Sequence, residues 1–270
     1  MNIIDLKNFT LSIAQQEKTN LIVQGVSLSI QNGEILGVVG ESGSGKTMLM
    51  RFLLGVMPQN MTASFDSFSF LGSLISLEES KNVRSDIAMV LQDPKTSLNP
   101  VLTVEDQIKE AFILKGDKDN LDEKVLKTLQ EVSIQDPLRV AKSYPFELSG
   151  GMGQRVMIAM MLALKPKLLI ADEPTSSLDA HVQRQILDLL RDTAKKNGMT
   201  LIIVSHDLPL ISAYCHRVIV MYKGHIVDSC KAQDLSKSKH PYTKGLLRCL
   251  PKLNDPRKRL SILKREEIDL

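Results

Sequence analysis

A glycine-rich segment that ends in a lysine and a threonine carries the clearest chemical signal in the chain: Gly40, Glu41, Ser42, Gly43, Ser44, Gly45, Lys46 and Thr47. The segment fits the pattern G-x-x-x-x-G-K-[ST] of a phosphate-binding loop. Glycines let the backbone curl until several N–H groups point into one hollow, and a following helix adds partial positive charge. Lys46 could then reach the β- and γ-phosphates of ATP, and the Thr47 hydroxyl could bind Mg²⁺.

The flanking sequence decides between this reading and a glycine-rich turn with a chance lysine. An apolar run at residues 35–39 predicts a buried strand before the loop. Residues 47–54 predict a helix after it, closed by Gly55 and Pro58. Strand, glycine loop and helix form the context that the motif needs, so we predict a nucleotide site.

An acidic pair, Asp172 and Glu173, follows a second apolar strand at residues 168–171. In phosphate-loop ATPases an aspartate at such a strand end holds Mg²⁺, directly or through water. A carboxylate one residue later can align and deprotonate the attacking water. Alone, such a pair often only caps the next element, but a phosphate loop upstream makes the catalytic interpretation strong.

Two further polar residues follow predicted strands. Gln92 ends the strand at residues 87–91, and its amide could bind Mg²⁺ or the attacking water. His206 follows the strand at residues 200–204, and a neutral imidazole there could hydrogen-bond the γ-phosphate. A lone histidine is more often structural, so the hypothesis for His206 depends on the other motifs.

A second anion-binding helix terminus is predicted at Ser149, Gly150 and Gly151, which precede an apolar helix at residues 156–164. Ser149 is a candidate N-cap, and the two glycines expose backbone N–H groups. One chain therefore has one phosphate loop and one such cap. We predict a head-to-tail dimer in which each nucleotide lies between one chain's loop and the other chain's cap.

Composition limits the possible classes of protein. At 270 residues with 43% apolar residues, the chain can form one large domain or a domain with a subdomain. A net charge of +3 is weak support for a nucleic-acid surface, and we predict no nucleic-acid partner. No CxxC occurs, and no signal peptide opens the chain, because Asp5 and Lys7 interrupt the first apolar residues. The sequence predicts a protein that is soluble on its own.

Strands that alternate with helices predict a largely parallel sheet, interrupted by a helical insertion. We predict four parts: an antiparallel β-layer with the first part of the core at 1–92, a helical subdomain at 93–165, the second part of the core at 166–229, and a C-terminal extension at 230–270. The last forty residues are polar and basic. They could touch anionic lipid heads, although a solvated face is the favoured interpretation.

The order of these motifs, with Ser177-Leu178-Asp179 before His206, resembles the nucleotide-binding subunit of ABC transporters over residues 1 to about 230. The resemblance implies an α/β fold with a P-loop (RecA-like) ATPase core, an antiparallel β-layer and a helical insertion. It also implies that Asp172 serves Mg²⁺, Glu173 is the catalytic base in hydrolysis of ATP to ADP and phosphate, Asp179 communicates across the dimer, and His206 is the switch residue.

Three narrower marks resemble the oligopeptide/dipeptide/nickel importer branch: residues 92–100, residues 144–152, and His240-Pro241-Tyr242-Thr243. The short tail is most similar to the nickel-type D subunit. The branch implies a homologous ATPase subunit in a homo- or heterodimer, two transmembrane permease subunits and, indirectly, an extracytoplasmic substrate-binding protein. It implies a peripheral location at the cytoplasmic face of the cell membrane and uptake of nickel, chelated metal, or di- and oligopeptides.

Two residues depart from the family pattern. Ile13 stands where the family usually stacks an aromatic on adenine, so apolar contact remains but stacking of about 1 kcal/mol is lost. Gly153 stands where the branch often has a larger residue, which would loosen the start of that helix.

Two other classes of protein compete with an importer subunit. A soluble ABC-type ATPase of translation or DNA repair would carry two cassettes or a long coiled coil, and neither fits 270 residues with one motif set. A small GTPase or kinase does not explain residues 148–152, and the chain has no Asn-Lys-x-Asp for guanine.

Overall fold

A computed structural model describes residues 1–15, 18–176 and 178–249 of the chain. The strands of these residues are β1 (Asn2–Gln15), β2 (Lys18–Gln31), β3 (Ile35–Val39), β4 (Met61–Ser64), β5 (Ser67–Phe70), β6 (Ser73–Leu74), β7 (Ile87–Val90), β8 (Leu168–Asp172), β9 (Thr200–Val204), β10 (Arg217–Tyr222) and β11 (His225–Lys231). The helices are α1 (Lys46–Leu54), α2 (Pro94–Ser97), α3 (Val104–Leu114), α4 (Leu121–Glu131), α5 (Pro137–Lys142), α6 (Gly150–Ala163), α7 (Ala180–Asn197), α8 (Leu208–Tyr214) and α9 (Pro241–Cys249).

The strands of the described residues form two sheets. An antiparallel sheet has the order β2-β1-β5-β6, with β4 also paired to β1, which agrees with the predicted β-layer. The second sheet has the order β11-β10-β3-β9-β8-β7 and is parallel except for its edge strand β11. Strands β3, β8 and β9 are buried along their whole length, which explains why their sequences are continuous apolar runs.

Alternate residues of β3 face two different hydrophobic cores. Leu36 and Val38 pack in one core with helix α1 and the antiparallel sheet, where Phe9 stacks on Phe52 at 4.0 Å. Ile35 and Val39 pack in the other core, with helices α6, α7 and α8. Helix α1 is therefore held between the two sheets, and its first residues stand at the carboxyl edge of the parallel strands.

Side-chain caps set the starts of several helices. Thr103 caps α3 and bonds the side chain of Asp106. Ser149 caps α6, which therefore begins at Gly150 and contains the predicted apolar run except its last residue, Leu164, which is the C-cap. Helix α7 begins at Ala180, because the Asp179 carboxylate caps it. The predicted domain boundaries at 92/93, 165/166 and 229/230 stay a prediction.

The segment after β11 is more ordered than its polar composition suggested. A 3-10 turn at Ala232–Lys237 leads to α9, and the side chains of Tyr242 and Thr243 are completely buried. The interpretation of the basic run as a solvated face stays a prediction. The basic residues Lys252, Arg257, Lys258, Arg259, Lys264 and Arg265 lie outside the described residues. Across residues 1–15, 18–176 and 178–249, none of the helices combines the length and the apolar character that a membrane span requires.

Candidate active site

The phosphate loop follows β3 and turns sharply where side chains would not fit. A Cβ on Gly40 would lie 2.2 Å from the carbonyl oxygen of Met221 in β10. Gly45 has a φ of 97°, and its Cβ would lie 2.8 Å from the carbonyl oxygen of Ile22 in β2. Both glycines are therefore required by close backbone approach, which fixes the loop against both sheets.

Lys46 is the first residue of α1, and its side chain is buried under the loop. Its Nζ donates to the carbonyl oxygens of Gly40 and Glu41, both at 2.8 Å, and to Oγ of Ser44 at 3.3 Å. Burial lowers the pKa of Lys46, and the carboxylates nearby oppose this effect. The site therefore holds a poorly solvated cation beside the amide groups that begin α1, where a phosphate's charge would interact strongly.

Thr47 and Asp172 join the loop to the end of β8. The Thr47 hydroxyl donates to Oδ2 of Asp172 at 2.9 Å. Burial raises the pKa of Asp172, and the hydrogen bond from Thr47 works against the rise. A hydroxyl and a carboxylate are the oxygen ligands that Mg²⁺ prefers, so these residues fit the ion. No group of three His, Cys, Asp or Glu side chains within the described ranges could hold a metal.

Glu173 and His206 come from the ends of neighbouring strands. Glu173 has a φ of 47°, unusual for a residue with a side chain, and its N–H donates to the Val204 carbonyl at 2.9 Å. Its Oε2 lies 3.4 Å from Nδ1 of His206, a contact that is an ion pair only when the imidazole is protonated. A backbone outlier beside two titratable side chains is typical of a functional site.

Gln92 follows β7, which is the sheet neighbour of β8, so its backbone leaves the sheet at the same edge as Asp172. Its side chain is exposed. The chain beyond it is fixed by Gln107 of α3, whose side chain accepts from the Asn99 N–H at 2.8 Å and donates to the Asn99 and Leu102 carbonyls, both at 3.1 Å. No local sequence pattern predicts this role for Gln107.

The predicted second anion site lies beside the start of α7. Ser149 Oγ accepts from the Met152 N–H at 3.4 Å. A Cβ on Gly151 would lie 3.0 Å from Cγ1 of Val182, whose N–H is bonded to the Asp179 carboxylate at 3.0 Å. The structure thus brings Ser149, Gly150 and Gly151 close to Asp179. Their predicted action on a partner's nucleotide stays a prediction.

The two departures from the family pattern lie in different places. Ile13 belongs to the antiparallel sheet, where its backbone pairs with Asn20 and Met61. Its contact with adenine stays a prediction. Gly153 is buried in α6, and a Cβ there would lie 3.3 Å from Cγ of Pro94. The missing side chain therefore makes room for the segment that follows Gln92.

Tyr242 also contacts the phosphate loop, a role that the sequence motifs did not predict. The hydroxyl of Tyr242 accepts a hydrogen bond from the backbone N–H of Glu41 at 3.1 Å. The signal for this contact in the sequence is the motif of residues 240–243, which also marks the resemblance to the importer branch.

The fold and the site together define a phosphate-loop nucleotide-binding cassette. Lys46 and Thr47 follow β3, Asp172 and Glu173 end β8, and His206 follows β9, so all five lie at one edge of a parallel sheet. This is the edge at which open α/β sheets bind their ligands.

Comparisons with known proteins agree with this class. The ABC transporter family matches residues 23–176. The dipeptide transport ATP-binding protein DppD of Haemophilus influenzae is 42% identical over 97% of this chain and 82% of that protein. The oligopeptide transport ATP-binding protein OppD of Lactococcus lactis is 36% identical over 93% of this chain and 76% of that protein. The chain belongs to the ABC transporter family.

Solved structures give the same result for the fold. The ATP-binding cassette MJ0796, in a dimeric post-hydrolysis state bound to ADP and phosphate, has a TM-score of 0.72 and 26% identity, and the match covers 85% of this chain and 98% of that one. The protein cbiO1 of Clostridium perfringens, part of the transporter complex cbiONQ, has a TM-score of 0.72 and 27% identity over 92% of this chain and 95% of that one. The predicted family, fold class and ABC-type ATPase activity are confirmed.

Proposed function

We propose that this chain is the ATPase subunit of an importer that takes up dipeptides or oligopeptides. The observation that carries the chemistry is the meeting of Lys46, Thr47, Asp172, Glu173 and His206 at one sheet edge. The names of the relatives support a peptide cargo over the nickel or chelated metal that the sequence also allowed. Because those names specify transport, they also disfavour a soluble ATPase of translation or DNA repair.

In this proposal the phosphates of ATP lie on the loop of residues 40–47. Lys46 and the backbone N–H groups at the start of α1 bind the β- and γ-phosphates. Thr47 and Asp172 hold Mg²⁺, with Gln92 as a further ligand, and the ion would neutralise phosphate charge. These groups would stabilise the negative charge on the transferring phosphoryl group and the charge that develops on the departing oxygen of ADP, so they would lower the barrier to phosphoryl transfer.

Glu173 is the proposed catalytic base. Its carboxylate accepts a proton from a water molecule while the water oxygen bonds to the γ-phosphorus and the bond to ADP breaks. His206, whose Nδ1 lies 3.4 Å from that carboxylate, would hydrogen-bond the γ-phosphate. The products are ADP and inorganic phosphate.

The complete site requires a second chain in this proposal. Ser149, Gly150, Gly151 and Asp179 act on the nucleotide of a partner subunit, and the partner returns the same groups. The dimeric state of MJ0796 supports such a pair. The partner is a second copy of this chain or a homologous subunit.

The membrane partners follow from the family. Two transmembrane permease subunits would receive the chain peripherally at the cytoplasmic face of the membrane, and an extracytoplasmic binding protein would deliver the peptide. The segment of residues 92–100, which Gln107 fixes at Asn99, is the proposed contact with a permease.

The decisive test is reconstitution of the complete importer with uptake of dipeptides, oligopeptides and nickel measured in parallel. Lys46→Ala is expected to lower ATP hydrolysis by at least ~10²-fold and to abolish uptake, because phosphate charge is no longer neutralised. Lys127→Ala, at an exposed lysine of α4, is the matched control and is expected to act as wild type. Near-normal hydrolysis by Lys46→Ala would contradict the site, and uptake of nickel without peptide would contradict the cargo.

A further inference from the structure

The segment that follows the parallel sheet returns to the phosphate loop. Tyr242, near the start of α9, is fully buried, and its hydroxyl accepts from the Glu41 N–H across 201 residues of sequence. The carbonyl oxygen of the same Glu41 accepts from Nζ of Lys46 at 2.8 Å. Tyr242 and Lys46 thus bond the two backbone polar groups of Glu41: its N–H and its carbonyl oxygen.

The position of Tyr242 is fixed by two other contacts. Its ring lies against the ring of Tyr222, the last residue of β10, with centroids 4.2 Å apart. The neighbouring hydroxyl of Thr243 donates to Oδ2 of Asp228 in β11 at 2.8 Å, and Ser238 donates to the same oxygen. The start of α9 is therefore bound to the sheet edge next to the loop, where a small movement of α9 would move the Tyr242 hydroxyl.

We propose that Tyr242 is a positioning residue for ATP binding: its hydroxyl fixes the backbone of Glu41 and, through it, the place of Lys46. The C-terminal segment then sets the affinity of the phosphate loop, although no atom of it needs to touch nucleotide. The proposal rests on the function proposed above. Its physical basis is that a buried hydrogen bond holds a loop whose N–H groups must already point at the phosphates before they bind.

A pair of single-atom deletions tests the proposal. Tyr242→Phe keeps the stacked ring and removes the hydroxyl that accepts from Glu41. Tyr222→Phe removes the other hydroxyl of the same stack, which is buried without a hydrogen-bond partner among the described residues. The two variants lose the same group from touching rings, so a difference between them reports the contact with the loop.

Two quantities are measured on the full chain. In the nucleotide-free protein, hydrogen exchange at the Glu41 amide is expected to be about tenfold faster in Tyr242→Phe and unchanged in Tyr222→Phe. The Kd for a fluorescent ATP analogue and the KM for ATP are expected to rise about fivefold in Tyr242→Phe, while kcat at saturating ATP stays near wild type. Equal exchange and equal Kd in the two variants would overturn the proposal.

The failure of this inference can be told apart from the failure of the proposed function. If the wild-type chain bound no ATP analogue, the proposed function would fail, whereas the exchange measurement would still decide whether Tyr242 fixes Glu41. Thr243→Val removes the bond to Asp228 without touching the loop. It is expected to speed exchange at Glu41 by a smaller factor, and unchanged exchange would overturn the role of the Asp228 contact.

Discussion

Nδ1 of His206 lies 3.4 Å from Oε2 of Glu173, and the two residues stand at the ends of neighbouring parallel strands, β9 and β8. The N–H of Glu173 is bonded to the carbonyl of Val204 at 2.9 Å, so the strand pairing continues into the acidic residue. The backbone then turns at a φ of 47°, which directs the two side chains toward one another. The geometry couples the proposed base to the proposed switch residue.

Glu173→Gln is expected to bind ATP but to hydrolyse it about 10²- to 10⁴-fold more slowly, because an amide cannot accept the proton of the attacking water. The variant should accumulate as an ATP-bound dimer. Single-turnover hydrolysis with a parallel binding measurement checks this. Fast chemistry in the first turnover would remove Glu173 from the role of base.

Asp172→Asn is expected to increase the stability of the fold and to decrease ATP hydrolysis. Burial raises the pKa of Asp172 above its ordinary 3.8, so the folded state keeps a proton that the unfolded state has already lost. The free energy of unfolding therefore falls as pH rises from 3.8 through the raised pKa, and the whole cost is present once the pH exceeds the raised pKa. Asparagine can still accept the hydrogen bond from Thr47, but it is uncharged, so it has no cost from the burial of a carboxylate charge.

In urea unfolding of the nucleotide-free protein, Asp172→Asn should lack this decline and be the more stable protein at pH 7. Its Mg²⁺-dependent hydrolysis should fall by at least ~10²-fold. A variant that is less stable than wild type at pH 7 would show that the carboxylate contributes more through its contacts than its burial costs.

Gln107→Leu is expected to loosen the segment that follows Gln92. Leucine fills the same space but leaves the N–H and carbonyl of Asn99 without their side-chain partner, at a cost of about 1–3 kcal/mol. Peptide uptake should fall more than basal ATP hydrolysis, since the segment is the proposed permease contact. Glu110→Gln, on the exposed side of α3, should change neither. Equal losses of uptake and hydrolysis would argue against a coupling role.

Arg84→Ala is expected to lower the free energy of unfolding by about 3 kcal/mol. The buried Arg84 guanidinium donates to the carbonyls of Phe52 and Leu53 at the end of α1, at 3.3 and 3.0 Å, and lies 4.9 Å from the Phe68 ring centroid. Burial lowers its pKa to about 10, so it remains charged at neutral pH. Arg51→Ala, an exposed arginine of α1, should change stability by less than ~0.5 kcal/mol. An unchanged urea midpoint in Arg84→Ala would show that the hydrogen bonds of Arg84 to the end of α1 do not stabilise the fold.

Ser149→Arg is expected to block hydrolysis on the opposite chain while its own loop still binds ATP. The long cation would fill the space before the exposed N–H groups of Gly150 and Gly151. A mixed dimer with Lys46→Ala on one chain identifies which nucleotide is affected. Ser149→Thr keeps the capping hydroxyl and serves as the control. Full activity of the purified chain as a dilute monomer would contradict the composite site.

The sequence by itself determined the parts of the site that depend on near neighbours. The pattern of Lys46 and Thr47 after glycines, the apolar strands, and the caps at Thr103 and Ser149 involve residues within about four positions of each other. For such features the local chain has few alternatives, so the pattern specifies the conformation. The order of the motifs then sufficed to identify the family.

The tertiary structure decided the contacts between distant elements. The bond of Tyr242 to Glu41 and the packing of Gly151 on Val182 depend on where whole helices lie against the sheet. A buried tyrosine has the same local pattern whether its hydroxyl meets a loop, like Tyr242, or no partner within the described residues, like Tyr222. The packing of two cores around the parallel sheet fixes these distances. It brings Tyr242 of the polar C-terminal segment into hydrogen-bond distance of the phosphate loop.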